Sequence, residues 1–291
     1  MELWIPITIA AAFLQNVRSV LQKQLTGRLS VNGATYVRFC YGLPFAWLYL
    51  AILSSSREIP EPSLEFLGYC LAGGIGQMLA TACLVASFTT RNFAVGTAFS
   101  KTEVVQAAVF GLLVLGDLVS WRVGIGIVLS LIGVLMLSAR VGLGEAWNLD
   151  RAASLGLLSG AFFAAAIVSY RGAALALGSG DYLIRASFTL AIAIALQTLL
   201  MGIYIMVRES GEMRRIGAAW RPSLWVGLIG MLASAGWLTA VTLESAALVR
   251  AVGQVELLFT FTASIWFFKE RVSFREVFGV ALVILGIYVL L

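Results

Sequence analysis

The chain has 291 residues, 60% of them apolar and 12% charged, with 20 lysines and arginines against 15 acids for a net charge of +5. Soluble domains carry about 25% charged residues, and a mean hydropathy of +0.94 is more than one aqueous core can hide, so lipid is the solvent for much of the surface. Basic residues sit singly at the ends of apolar runs, which excludes a nucleic-acid partner and fits membrane anchoring, and the absence of histidine excludes imidazole metal sites, Ser-His catalysis and histidine proton relays.

Ten apolar runs predict spans at about 3–22, 33–54, 65–88, 93–116, 121–139, 152–171, 181–207, 221–243, 247–268 and 273–291. They are continuous over about 20 residues, whereas barrel strands alternate over about ten, so the expected class is an all-α membrane protein. The first run starts at Leu3 without a basic leader, so no cleavable signal is expected. Its Gln15, Arg18 and Gln22 share one helix face, which must meet protein or water. Gln15 and Arg18 are candidate substrate contacts, while Gln22 and Lys23 reach the interface by snorkelling.

Span two carries Arg38 and ends in the loop Ser54–Glu65, with Pro60 and Pro62. Span three carries Gly73, Gly74 and Gly76, which allow close helix approach, and then Gln77, a further candidate contact. Span four carries Lys101 and Glu103. Two residues apart, they point about 200° from each other and cannot pair within one helix. The turn Gly116-Asp117 leads to span five, and Gly156-x-x-x-Gly160 marks a close approach on span six. Span seven opens on Arg185, and the arginine-rich loop Arg208–Pro222 follows it. Trp237 on span eight, with Phe99, Phe259 and Tyr170, is an aromatic that can clasp a substrate, although most membrane aromatics pack or form interface belts. Span nine carries Arg250, which can simply mark the interface, and Gln254 and Glu256, and ends at the turn Lys269-Glu270-Arg271. Cys40, Cys70 and Cys83 lie in apolar runs and read as packing residues. There is no G-x-x-x-x-G-K-[ST] sequence and no metal-ligand spacing, so neither ATP, a cofactor nor a metal is expected.

The chain repeats itself. Shifted by 153 residues, the separation of Glu103 and Glu256, Ala94–Ser138 lies on Ala247–Leu291 without a gap. Asp117 falls on Glu270, Val119-Ser120 on Val272-Ser273, Arg122 on Arg275, and Gly126 and Gly133 on Gly279 and Gly286. The register extends back to Gly74 over Gly227. With a slightly different shift, Tyr36-Val-Arg38 resembles Leu183-Ile-Arg185. Two units of five spans, 1–140 and 152–291, must have opposite orientations because five is odd. That is the inverted-repeat plan of secondary transporters, with a site near the midplane.

Ionisable residues at membrane depth cost about 2.5–3.5 kcal/mol each on insertion scales and are functional candidates. Glu103 and Glu256 occupy equivalent positions in spans four and nine. They are candidates for proton coupling or for holding a cationic group, against the alternative of ion pairs or bonds between helices. Arg18, Lys101 and Gln254 are candidates for an anionic or polar group. Arg38 and Arg185 read first as anchors of their helices.

Ten helices in two fives, an arginine early in spans two and seven, and acidic turns after spans four and nine resemble the drug/metabolite transporter superfamily, EamA type. The resemblance covers the whole chain. It implies a central cavity, a small-molecule substrate such as an amino acid or related metabolite, often exported, and no enzymatic activity. The expected protein is thus a multi-pass inner-membrane secondary transporter, monomeric or homodimeric, with the lipid bilayer and a small solute as partners and protons as a candidate coupling ion. It would work by rocking two five-helix units. An intramembrane enzyme using the carboxylate pair, a channel and a lipid-flipping protein are the alternatives. Counting basic residues in loops places both termini outside.

Overall fold

The computed structural model describes residues 2–88, 99–138, 151–259 and 274–290. Arg91, Arg140, the turn Lys269-Glu270-Arg271, Val272-Ser273, the start of span four and the second half of span nine lie outside the described residues, as do the side chains of Lys23 and Arg275. The described residues form helices and no strand: α1 Trp4–Leu25, α2 Val31–Cys40, α3 Leu43–Ser54, α4 Leu64–Phe88, α5 Glu103–Phe110 running into a π-helical turn Gly111–Leu115, α6 Trp121–Ser138, α7 Arg151–Ala176, α8 Tyr182–Arg208, α9 Glu212–Ala218, α10 Trp220–Leu243, α11 Ala246–Gly253 and α12 Phe274–Leu290. Among the described residues six stretches are long and apolar enough to cross a membrane: Trp4–Gln22, Val31–Ser54, Leu64–Ser87, Arg151–Ala176, Tyr182–Arg208 and Trp220–Leu243. Three shorter apolar helices cover Glu103–Leu115, Trp121–Met136 and Val277–Val289.

Local chemistry sets several boundaries. Ser30 caps α2 by accepting the Gly33 N–H, and Asp181 caps α8 by accepting the N–H groups of Leu183 and Ile184. Ser245 caps α11 through Leu248. The predicted second span is interrupted between α2 and α3 because Pro44 has no N–H to offer the preceding turn. The arginine-rich loop after span seven contains α9, entered through Gly211 at φ 80°, a left-handed backbone that favours glycine.

The chain forms two compact units, and each takes part of both sequence repeats: Met1–Gly74 with Tyr170–Leu243, and Ile75–Ser169 with Glu244–Leu291. In the first unit α1 lies against α10, α2 and α3 lie against α8, and α10 touches both α2 and α8. One core joins Leu25, Tyr36, Val37, Ile205, Ile216 and Val226. A second joins Leu50, Phe66, Cys70, Ile184 and Phe188. The helices carrying Arg38 and Arg185 run antiparallel, as contacts at both ends require. At the start of α2, Ser30 Oγ and Asn32 Nδ2 donate to the Glu209 carboxylate just after α8, and the Ser30 N–H donates to buried Glu212 at 2.6 Å. Beyond α3, Arg57 pairs with Asp181 at the start of α8.

In the second unit α6 lies along α12 and α5 against α11, around a small core of Val104, Ile127, Ala247 and Ala251. The α6–α12 contact is reciprocal. A Cβ on Gly133 would sit 2.6 Å from the Gly279 carbonyl, and one on Gly286 would sit 2.8 Å from the Gly126 carbonyl. These four glycines are two pairs of repeat equivalents, so the equivalent helices again run antiparallel, backbone against backbone.

Candidate functional site

The second unit concentrates charge where helices break. α5 begins only at Glu103, after a turn at Lys101-Thr102 in which the Thr102 N–H donates to the Phe99 carbonyl at 3.1 Å. At the equivalent place α11 ends before Gln254, whose N–H donates to the Ala251 carbonyl at 3.2 Å, and the chain resumes as helix over 255–259. Both are tightened, three-residue hydrogen bonds. Gly160 on α7 seats the first break: a Cβ there would meet the Ser100 carbonyl at 3.0 Å and the Glu103 nitrogen at 3.2 Å.

Four ionisable side chains meet at these breaks. Lys101 pairs with Glu256, and Arg250 Nε lies 2.6 Å from Glu103 Oε1. Each carboxylate thus takes a base from the repeat-equivalent segment opposite it, the ion-pair alternative. Arg250 is also within electrostatic range of Glu256, so the four form one cluster of zero net charge. Side-chain exposures are 24% for Lys101, 15% for Glu256, 18% for Arg250 and 8% for Glu103. Beside them Gln254 is 4% exposed, and neither its amide nitrogen nor its amide oxygen has a hydrogen-bond partner among the described residues. Buried amides are nearly always satisfied. Gln77, also in this unit, is half-buried on α4, and its backbone carbonyl accepts the Thr81 hydroxyl.

In the first unit Trp237 Nε1 donates to Gln15 Oε1 at 3.0 Å, bringing together two expected contacts 222 residues apart. Three residues on from Gln15, the Arg18 stem lies over Gly230 of α10, where a Cβ would meet Arg18 Cδ at 3.2 Å. Arg38 meets the same glycine through its Cβ, and its guanidinium lies 4.5 Å from the centre of the Phe39 ring. Tyr170 accepts from buried Gln197 at 3.1 Å, and Arg171 donates to the Val241 carbonyl at 2.7 Å. At one end of this unit a cavity of about 560 Å³ is lined by Arg57, Glu58, Glu61 and Asp181. The Ile184 N–H, the Arg57 guanidinium and the Leu183 N–H hold the Asp181 carboxyl below its ordinary value.

The EamA-like transporter family matches residues 2–139 and, a second time, residues 150–291. The chain belongs to this family. It is therefore a multi-pass integral membrane protein of the drug/metabolite transporter type, from a family of transporters rather than enzymes. No curated protein matches the chain. Among 28 matching chains of solved structures, one described as "Crystal structure of protein" superposes with a TM-score of 0.73 at 15% identity, over 98% of this chain and 95% of that one. It speaks to the fold alone.

Within this EamA-like chain the expected contacts fall into two groups. Gln15, Arg18 and Trp237 belong to the first unit; Gln77, Lys101, Glu103, Gln254 and Glu256 belong to the second. Sequence reading treated Arg250 as an interface marker, and missed it as the partner of Glu103. The usable signal is the repeat: it sets Arg250 and Gln254 of one half against Lys101 and Glu103 of the other.

Proposed function

We propose that the protein is a secondary active transporter of a small polar metabolite, an amino acid or related compound, working by alternating access as a proton-coupled exporter. In this reading ten helices form two inverted repeats, 1–140 and 152–291, in the inner membrane with both termini outside. Glu103 and Glu256 carry the proton or hold a cationic group, and Lys101, Gln254 and Gln77 offer polar contacts in the same unit. Gln15, Arg18 and Trp237 supply further contacts from the other.

The observation that carries the reading is the charge cluster at two broken, repeat-equivalent helices. Breaks inside spans free backbone groups and place them beside ions, which is how many transporters build their sites. The orphaned amide of Gln254 suits a polar guest. A proton arriving on either glutamate would release its base, so protonation state and charge pairing are linked in one cluster. Counterflow in proteoliposomes tests this: preloaded unlabelled amino acid should accelerate uptake of the labelled compound and saturate with concentration. Glu103→Gln or Glu256→Gln should abolish the dependence of transport on a pH gradient. Wild-type pH dependence in both variants would remove proton coupling, and non-saturating flux without counterflow would indicate a channel.

A further inference from the structure

The two ends of the first unit carry opposite charge. At the end where α3 leads to α4 and α7 to α8, Glu58, Glu61, Glu65 and Asp181 stand with Arg57. At the other end lie Arg28, between α1 and α2, and the stretch Arg208–Pro222, which carries Arg208, Arg214, Arg215 and Arg221. The acids of that stretch are Glu209 and Glu212, and both turn inward. Glu209 accepts from Ser30 Oγ and Asn32 Nδ2, while Glu212, 0% exposed, accepts the Ser30 N–H. The arginines turn the other way: Arg28, Arg208, Arg214, Arg215 and Arg221 are all exposed.

α9 performs this sorting. Its Glu212 and Ile216 are buried, Ile216 in the core with Leu25 and Val37, and its Arg214 and Arg215 are exposed. At seven residues it is about 10 Å long, so its arginines stay near Arg208 at the end of α8 and Arg221 at the start of α10. Helix chemistry accounts for part of this charge. Arg208 and Arg215 stand in the last turns of α8 and α9, where a cation offsets the helix dipole, and Arg215 Nε lies 3.0 Å from Glu212. It does not account for Arg221, which opens α10, where the dipole disfavours a cation. The Arg221 guanidinium lies 5.4 Å from the centre of the exposed Trp220 ring. Next to these bases Met206 and Val207 of α8 and Leu224 and Trp225 of α10 are exposed apolar side chains. Bases bordering an apolar surface match a lipid that carries negative charge above acyl chains, and guanidinium groups pair well with phosphate oxygens.

We propose that Arg208, Arg214 and Arg221 form a binding face for an anionic phospholipid. The guanidinium groups hold the headgroup phosphate, and the acyl chains lie on the exposed apolar ends of α8 and α10. The face belongs to the first unit and asks nothing of the charge cluster in the second, so it stands or falls apart from solute transport. The inner side of α9 is bonded to the start of α2 through Glu212, so a lipid held on the outer side stabilises the native unit.

The test uses the full chain purified in dodecyl maltoside. Melting temperature is followed as phosphatidylglycerol or phosphatidylcholine is titrated into the micelles, with inorganic phosphate as the soluble arm. A ligand that prefers the native state raises the melting temperature by mass action. Phosphatidylglycerol should do so saturably, and less strongly at high salt. Each base near an anionic surface is worth about a factor of five, so Arg214→Gln/Arg221→Gln should weaken the apparent affinity about thirtyfold. Arg214→Lys/Arg221→Lys should keep most of it, and Arg57→Gln, at the acidic end, should leave it unchanged. On the wild type in nanodiscs, phosphatidylglycerol should protect Arg214 from phenylglyoxal relative to phosphatidylcholine, read by peptide mass, which keeps the test independent of variant folding. Equal stabilisation by phosphatidylcholine or by inorganic phosphate, an unchanged affinity in the glutamine variant, or equal labelling in the two lipids overturns the proposal.

Discussion

Glu103→Gln removes one charge from a cluster whose four charges sum to zero, and leaves Arg250 in a largely buried place. Arg250 and Glu103 are 18% and 8% exposed and 2.6 Å apart. Breaking a buried pair by removing one partner costs about 3–5 kcal/mol, because the remaining charge is uncompensated. Here Glu256 is still within range of Arg250, but it is shared with Lys101, so the expected loss is about 3 kcal/mol, at the low end of that range. Arg250→Gln should cost a similar amount by stranding Glu103. The double variant Glu103→Gln/Arg250→Gln removes both charges, leaves the Lys101–Glu256 pair intact, and should recover a coupling energy of about 1–2 kcal/mol. The assay is unfolding in mixed micelles titrated with sodium dodecyl sulfate, followed by tryptophan fluorescence. Additivity of the two single variants to within about 0.5 kcal/mol would refute the pairing and return both residues to independent roles.

Two further outcomes follow from the geometry. Gly133→Ala places a methyl 2.6 Å from the Gly279 carbonyl and 2.8 Å from the Val283 nitrogen, all backbone that cannot give way, whereas Gly124→Ala on the same helix meets nothing within 4 Å; thermal melts should show a clear loss for the first and none for the second, and equal melts would disprove the close α6–α12 contact. Asp181 is held ionised by the Ile184 N–H and by Arg57, so its folded value lies below the unfolded one near 3.9. That stabilisation is complete above about pH 4 and is lost as pH falls through the folded value. The melting-temperature gap between wild type and Asp181→Asn should therefore be constant from about pH 5 to 8 and close below about pH 4, and a gap that instead opens on acidification would reverse the assignment.

Much of the fold was readable because it is local or periodic. Apolar runs of spanning length mark α1, α4, α7, α8 and α10 directly. Ser30 and Asp181 cap helices where a small polar side chain precedes an apolar run. The glycines of the repeat could be paired on paper, because Gly126, Gly133, Gly279 and Gly286 keep their spacing under one shift. The Gly156-x-x-x-Gly160 spacing marks a close approach at Gly160, which seats the break before Glu103. The break itself was not readable: Lys101-Thr102 lies inside an unbroken apolar run.

Composition and periodicity by themselves determined that this is a helical membrane chain with two related halves, and that Glu103 and Glu256 are equivalent. Only the tertiary structure decided that each glutamate takes a base, that Arg250 serves Glu103, that Trp237 reaches Gln15, and that Arg18 and Arg38 share Gly230. The physical reason is that partners across helices depend on the rotation and stagger of whole elements. Backbone contacts spread over many residues set these, such as the glycine seam of α6 and α12, and the charged side chains then pair with whatever that packing brings within reach.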